Sequence, residues 1–326
     1  MKKRLFLHTS LFGILCTVVL STTAASFPDK PIKLVTPFPP GGLVATIAHA
    51  VAAKMSVSLG QPVVLDARPG AAGSIAAGLV AKATKDGYTL LVGTSSMLGI
   101  ATYMYKDLPY DPVNDFAPVA ILGNVTVGVF ASQKSGIESL EDLYAKARSK
   151  PGEINFGSIG VGSVSHLSAE LFKVRAKLDI VHVPYAGTVP QMMDLIGGQT
   201  QLAFNGIASG MNYVKDGRMK LIAVAAKGRS KAYPTVPALG EFIPGYEAPA
   251  WLAIVAPKGT PQGVLDRLEA AVQEALADRE IKALLENQGI EPEPMNARAF
   301  GDKMAREMPL WEEAVKASGA QPGTTR

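Results

Sequence analysis

The sequence predicts an α/β protein of two lobes, each with a mostly parallel sheet flanked by helices. Two observations lead there. Short β-branched runs alternate with longer helical patterns almost throughout, the grammar of strand, helix, strand units. The 326 residues exceed what one core usually holds, and 48% of them are apolar, enough for two cores.

The first 25 residues stand apart. Lys2-Lys3-Arg4 is a positive cluster, 5–20 is apolar, and 21–26 is small and polar with a cleavage point after Ala25. That is the layout of a secretory signal peptide, so residues 1–25 are expected to be removed on export and the protein to be periplasmic. A membrane anchor is the weaker reading, because the stretch is short for a bilayer and is interrupted by His8, Thr9 and Ser10. Leu15 stands where a lipid-attachment box needs a small residue before Cys16.

The next elements follow in order. A strand at 32–35 precedes a helix on which Val44, Ile47, Ala48, Val51 and Met55 recur at three- and four-residue spacing. Strands at 62–65, 89–93 and 119–122 follow, with a small-residue helix at 74–83. Then come a strand at 125–131, a helix at 139–149, a strand at 154–156, a helix at 165–176, a strand at 180–183, a helix at 190–196 and a strand at 201–204. Strands at 221–225 and 251–256 lead to two long helices, 261–277 with Thr260 as N-cap, and 298–317. Between 119 and 131 two strand-like runs are joined only by Gly123-Asn124, with no helix, which marks a crossing between lobes. A second crossing near 221–229 returns the chain. The expected lobes are therefore 26–124 with 228–326, and 125–227.

Charge excludes several classes. Export removes Lys2, Lys3 and Arg4, leaving 29 of the 32 basic side chains against 28 acidic ones. The formal +4 shrinks to +1, so nothing in the mature chain argues for nucleic acid or an anionic membrane surface. Cys16 is the single cysteine, so the mature chain has neither a disulfide nor a thiolate metal site.

In an open α/β sheet, ligands sit beyond the C-terminal ends of strands. The strand ends here release into Pro39-Pro40-Gly41-Gly42, Pro69-Gly70-Ala71-Ala72-Gly73, Gly93-Thr94-Ser95-Ser96, Gly157-Ser158-Ile159-Gly160-Val161-Gly162-Ser163, Ala186-Gly187-Thr188 and Asn205-Gly206. None releases into a charge cluster. Glycine and small hydroxyl residues at helix starts suit an anion held by main-chain amides, although each such loop taken alone also fits an ordinary turn or cap. Catalytic constellations do not assemble: the histidines left after export, His49, His166 and His182, lie in no H-E-x-x-H arrangement, and there is no G-x-S-x-G elbow or phosphate loop. His166 reads as a capping or structural histidine, Asp194 and Glu170 as solvated or helix-pairing acids.

Several strings also carry a family likeness. Phe27-Pro28-Asp29-Lys30-Pro31-Ile32 leading into Pro37-Phe38-Pro39-Pro40-Gly41-Gly42 resembles the mature N-terminus of the Bug family, the extracytoplasmic receptors of tripartite tricarboxylate transporters. Arg68-Pro69-Gly70-Ala71, Asp86-Gly87-Tyr88-Thr89-Leu90-Leu91, His182-Val183-Pro184-Tyr185 and Ala256-Pro257-Lys258-Gly259-Thr260-Pro261 also fit, in order, over about residues 27–315. The resemblance implies a two-lobed periplasmic binding protein of the Venus-flytrap type that delivers a small carboxylate, di- or tricarboxylate or aromatic, to integral membrane transporter subunits. It implies no enzyme activity, cofactor or metal, and a monomer. The ligand-binding residues expected on these grounds are Phe38, Pro40, Gly41, Gly42, Ala45, Ala71, Ala72, Gly73, Ser95, Ser96, Ser158, Gly162, Ser163, His166, Gly187, Thr188 and Asn205. Three positions depart from the family pattern: Ala45 and Asn205 replace the usual aspartates and His49 the usual arginine. Losing two acids disfavours a zwitterionic ligand, since a desolvated ammonium needs a counter-charge. Two readings of other classes stay open, a periplasmic sensor that presents its ligand-bound form to a signalling partner, and an exported hydrolase.

Overall fold

The computed structural model describes residues 27–38, 43–70, 73–293 and 295–320. The signal-peptide reading falls outside them. Strand β1 (Ile32–Thr36), helix α1 (Leu43–Leu59), β2 (Val63–Ala67), α2 (Ser74–Ala81) and β3 (Thr89–Thr94) follow the predicted alternation. These three strands pair in parallel, Ile32 opposite Val63 and Lys33 opposite Thr89. The spacing read from α1 is its packing face: Ile47, Ala48, Val51 and Met55 are buried against Leu265, Leu268 and Val272 of a later helix.

After β3 the chain forms a π-helical turn (Ser96–Ile100) and a short α3 (Ala101–Met104), for which the sequence carries no helical periodicity long enough to predict them. Strand β4 (Phe116–Val125) then runs almost directly into β5 (Val127–Ser132). The break falls at Thr126, not at Gly123-Asn124. Gly123 lies within β4 at an irregularity in its pairing, at φ 152°, where a side chain would strike Ile290 and the Glu291 carbonyl.

The second sheet is built by α4 (Leu140–Ser149), β6 (Ile154–Ser158), α5 (Val164–Ala176), β7 (Ile180–Pro184), α6 (Thr188–Gly197), β8 (Leu202–Gly206), α7 (Ala208–Lys215) and β9 (Met219–Val224). The chain returns through α8 (Leu239–Phe242) to β10 (Trp251–Pro257), α9 (Gln262–Ala277), α10 (Arg279–Asn287), β11 (Ile290–Glu291) and α11 (Ala297–Ser318). Thr260 is not the N-cap of α9. Pro261 holds that place, and the Thr260 hydroxyl donates to the Pro257 carbonyl at 2.8 Å.

The strand orders are β11-β4-β10-β3-β1-β2 and β7-β6-β8-β5-β9. Both sheets are mixed rather than mostly parallel. β10 runs antiparallel to β3 and β4, β11 to β4, and β5 to β8 and β9. The reason is the crossing itself. Strands β3, β4, β6 and β8 point their C-terminal ends the same way within their sheets, so a chain that leaves one sheet at those ends must enter the other running backwards. β5 and β10 are the two strands that do so.

Helix α11 joins the two halves. Phe300 packs in the core that holds Met97, Leu98 and Trp251, whereas Trp311, Ala314 and Val315 pack in the core of the second sheet with Leu167 and Phe172. Its middle is tied to the crossing: Glu307 accepts from the Trp251 indole at 2.7 Å, and Lys303 bridges Glu307 and Glu293, each at 3.1 Å.

Candidate functional site

The C-terminal ends of β1, β2 and β3 converge. Gly73 caps α2 at φ 93°, and a side chain there would stand 2.7 Å from the Met97 sulfur and 3.1 Å from Pro37 Cβ. Only glycine tolerates both that backbone and that approach. Ser95 is buried at the end of β3, Ser96 half-buried, and the Thr94 hydroxyl accepts from the Met97 amide at 3.3 Å. Tyr110 supports the turn from beneath, donating to the Met97 carbonyl at 3.0 Å, and its burial pushes the phenol up to about 12. Phe38 is exposed at the exit of β1; Ala45 is buried in the first turn of α1 and His49 is exposed. Pro40, Gly41, Gly42, Ala71 and Ala72 lie outside the described residues.

On the second sheet, the loop after β6 is held from below by two histidines. Ser163 caps α5 by accepting from the His166 amide at 3.2 Å. His166 Nδ1 accepts from the Gly162 amide at 3.2 Å, which places its proton on Nε2. His182 Nε2 bonds the Ser158 hydroxyl at 2.6 Å, and the two imidazoles stack at 3.9 Å. Burial drives both toward neutrality. His166, also facing His182 and Lys173, is pushed down to about 3; His182, also facing Lys173, to about 4. Glu170, read as a solvated or helix-pairing acid, is the latter: it is buried, its carboxylate 3.5 Å from Lys173 and 3.8 Å from His166 on the same helix, and that burial raises its carboxyl above the usual range. With the imidazole neutral the contact with His166 is no ion pair.

The ends of β6 and β8 are locked together by Gln191, a fully buried residue of α6. Its Nε2 donates to the Gly157 carbonyl at 2.8 Å and the Phe204 carbonyl at 3.0 Å. Gly157 leaves room for it, since a side chain there would lie 3.1 Å from Gln191 Cγ. Asn205 Nδ2 donates to Gln191 Oε1 at 2.7 Å and Thr188 Oγ1 at 3.2 Å, and Asn205 Oδ1 accepts from the Gly206 amide at 2.7 Å. Gly187, at φ 121°, stands in open space before Thr188.

The structure thus gathers Gly73, Ser95 and Ser96 on one sheet, and Ser158, Gly162, Ser163, His166, Gly187, Thr188 and Asn205 on the other. The halves touch where Gly162 meets α3: a side chain there would lie 3.1 Å from Met104 Cε. Sequence reasoning gave no role to His182 or Gln191. His182 carries no signal beyond being a histidine at a strand end, and Gln191 is one polar residue inside a helix. Among the described residues no three metal-ligating side chains come together, and no helix is long and apolar enough to cross a membrane.

The comparisons with known proteins agree among themselves. A family model described as "Tripartite tricarboxylate transporter family receptor" matches residues 47–319. The chain is 32% identical over 323 residues to Protein BugT of Bordetella pertussis, covering 98% of each. It is 33% identical over 311 residues to a protein of Pseudomonas sp. (strain P51) from the tcbD-tcbE intergenic region, covering 94% of this chain and 92% of that one. Among solved structures, an R. palustris protein with adipate superposes with a TM-score of 0.79 at 32% identity, covering 90% of this chain and 98% of that one. MatC from Rhodopseudomonas palustris with bound malate gives 0.75 at 32% identity, covering 89% and 100%.

Proposed function

Since this chain belongs to the tripartite tricarboxylate transporter receptor family, we propose that it captures a small carboxylate between its two sheets and hands it to the membrane subunits of such a transporter. It is a periplasmic solute receptor, not an enzyme. The observation that carries the ligand class is the chemistry of the strand ends. β3, β6 and β8 end in Thr94, Ser158 and Asn205-Gly206, and the two histidines behind the β6 loop are held neutral, so these ends offer hydrogen-bond donors without a fixed charge. Such a site suits an anion bound by main-chain and hydroxyl donors. The adipate and malate carried by two relatives belong to the same class.

In this reading, residues 26–124 with 228–326 form one lobe and 125–227 the other, closing on the ligand by a hinge at Thr126 and at the return segment after β9. The receptor works as a monomer. Ligand linkage supplies the test: malate, adipate or an aromatic dicarboxylate at 100 times its Kd should stabilise the protein by about 2.7 kcal/mol. A rise in Tm with one of these acids, absent with an uncharged analogue, is the expected result. A library of mono-, di- and tricarboxylates that leaves Tm unmoved would overturn the proposal.

A further inference from the structure

We infer that Asn205 makes this receptor select an anionic group, and reject an ammonium group, at the second sheet, by turning the Thr188 hydroxyl into an outward donor. The inference rests on the carboxylate reading and sharpens it. The direction of every hydrogen bond in the cluster is fixed by the main chain. Carbonyl oxygens only accept, so the Gln191 atom facing Gly157 O and Phe204 O is the NH2 group, and both its protons are used there. Gln191 Oε1 therefore faces Asn205 and must receive a proton. The Gly206 amide independently requires Asn205 Oδ1 on its side, so Nδ2 faces Gln191 at 2.7 Å.

The second Nδ2 proton goes to Thr188 Oγ1 at 3.2 Å. The hydroxyl is an acceptor in that bond, and its own proton has no other partner among the described residues. Thr188 is half-buried, and Gly187 beside it borders open space, so the proton is free to serve a ligand at the strand ends. A carboxylate oxygen completes this arrangement. An ammonium group, which only donates, would find at this cluster only the one lone pair left on the Thr188 hydroxyl and no counter-charge, while the Thr188 proton stayed unused. The acid on the same helix, Asp194, is engaged by the Tyr185 hydroxyl at 2.9 Å.

An aspartate at 205 would invert the polarity. Gln191 cannot turn over without breaking two buried bonds, so with one aspartate oxygen kept by the Gly206 amide, the oxygen in the place of Nδ2 would face Gln191 Oε1 with no proton between them. That same oxygen would take the Thr188 proton, leaving lone pairs outward beside a new negative charge. The experiment is calorimetric titration of malate and adipate into wild type, Thr188→Val, Thr188→Ser and Asn205→Asp at pH 8 and pH 6, with ligand-free melting of each variant. We expect Thr188→Val and Asn205→Asp each to weaken binding at least about tenfold at pH 8, and Thr188→Ser to restore it. The Asn205→Asp deficit relative to wild type should shrink at pH 6 as the new carboxyl gains its proton, and the Thr188→Val deficit should not. Wild-type affinity in a folded Thr188→Val protein overturns the inference, whatever Asn205→Asp does to folding. A wild type that binds neither acid, nor any other carboxylate, refutes the carboxylate reading instead.

Discussion

Replacing Trp311 with alanine is expected to lower the free energy of unfolding by about 3–5 kcal/mol, the cost of deleting a buried aromatic side chain and leaving a cavity. The indole is 1% exposed and is among the largest fully buried side chains of the protein. It lies on the π-helical turn, where a side chain at Gly99 would stand 3.1 Å from indole Cδ1, and it shares a core with residues of the second sheet. It thus fastens the turn that carries Ser96 to the opposite half of the molecule. Only two tryptophans are present, so the buried Trp251 can report a urea titration of the variant. Trp311→Phe should recover much of the loss. A Trp311→Ala protein within 1 kcal/mol of wild type would mean that the last turns of α11 do not pack as described.

Acid should weaken the protein well above the ordinary carboxylate range. His166 and His182 titrate near 6.5 when unfolded, but near 3 and 4 in the fold, because burial disfavours the imidazolium. From pH 6.5 downward the unfolded chain therefore binds more protons than the native one. The stabilisation is fully present above pH 6.5 and is lost as pH falls toward 4. Each proton contributes a slope of about 1.4 kcal/mol per pH unit, so the pair accounts for a loss of several kcal/mol. Glu170, held above the usual carboxylate range, takes up a proton in the fold and offsets part of this at the acid end. Equilibrium unfolding as a function of pH checks the window. In His166→Asn with His182→Gln, Asn can still accept from Gly162 and Gln can still bond Ser158, and neither titrates. Its stability should be nearly flat from pH 6.5 to 5. An equally steep decline in that variant would show that other groups are responsible.

The local elements were legible because each depends on neighbours in sequence. The apolar face of α1 and the Ser139 cap of α4, which accepts from the Asp142 amide, need nothing distant. The sheet order was not legible, since no local pattern says that β10 slots between β3 and β4. Helix α10 was overlooked despite its own signal, Asp278, which accepts from the Glu280 and Ile281 amides; the run of helix formers before it obscured the boundary. Among the candidate site residues, Asn205 is legible because it stands at the end of a strand-like run. Its orientation depends on Gln191, whose partners lie 14 and 34 residues away, and such distances leave no trace in a local pattern.

The reversed strand β10 also sets an order for folding. It fills the gap between β3 and β4, so the first sheet cannot be continuous until residues 251–257 have been made. The second sheet needs only the uninterrupted stretch from β5 to β9, residues 127–224. Loop closure favours the nearer partners, so this sheet should acquire its register first, with its core still missing Trp311 and Val315 from the far end of the chain. Pulsed hydrogen exchange during refolding should then protect amides of β5, β6 and β8 before those of β3 and β4, with the C-terminal helix last. On this route the inserted half of the molecule is a scaffold that forms early, and the half assembled from the segments on either side of the insertion is finished around it.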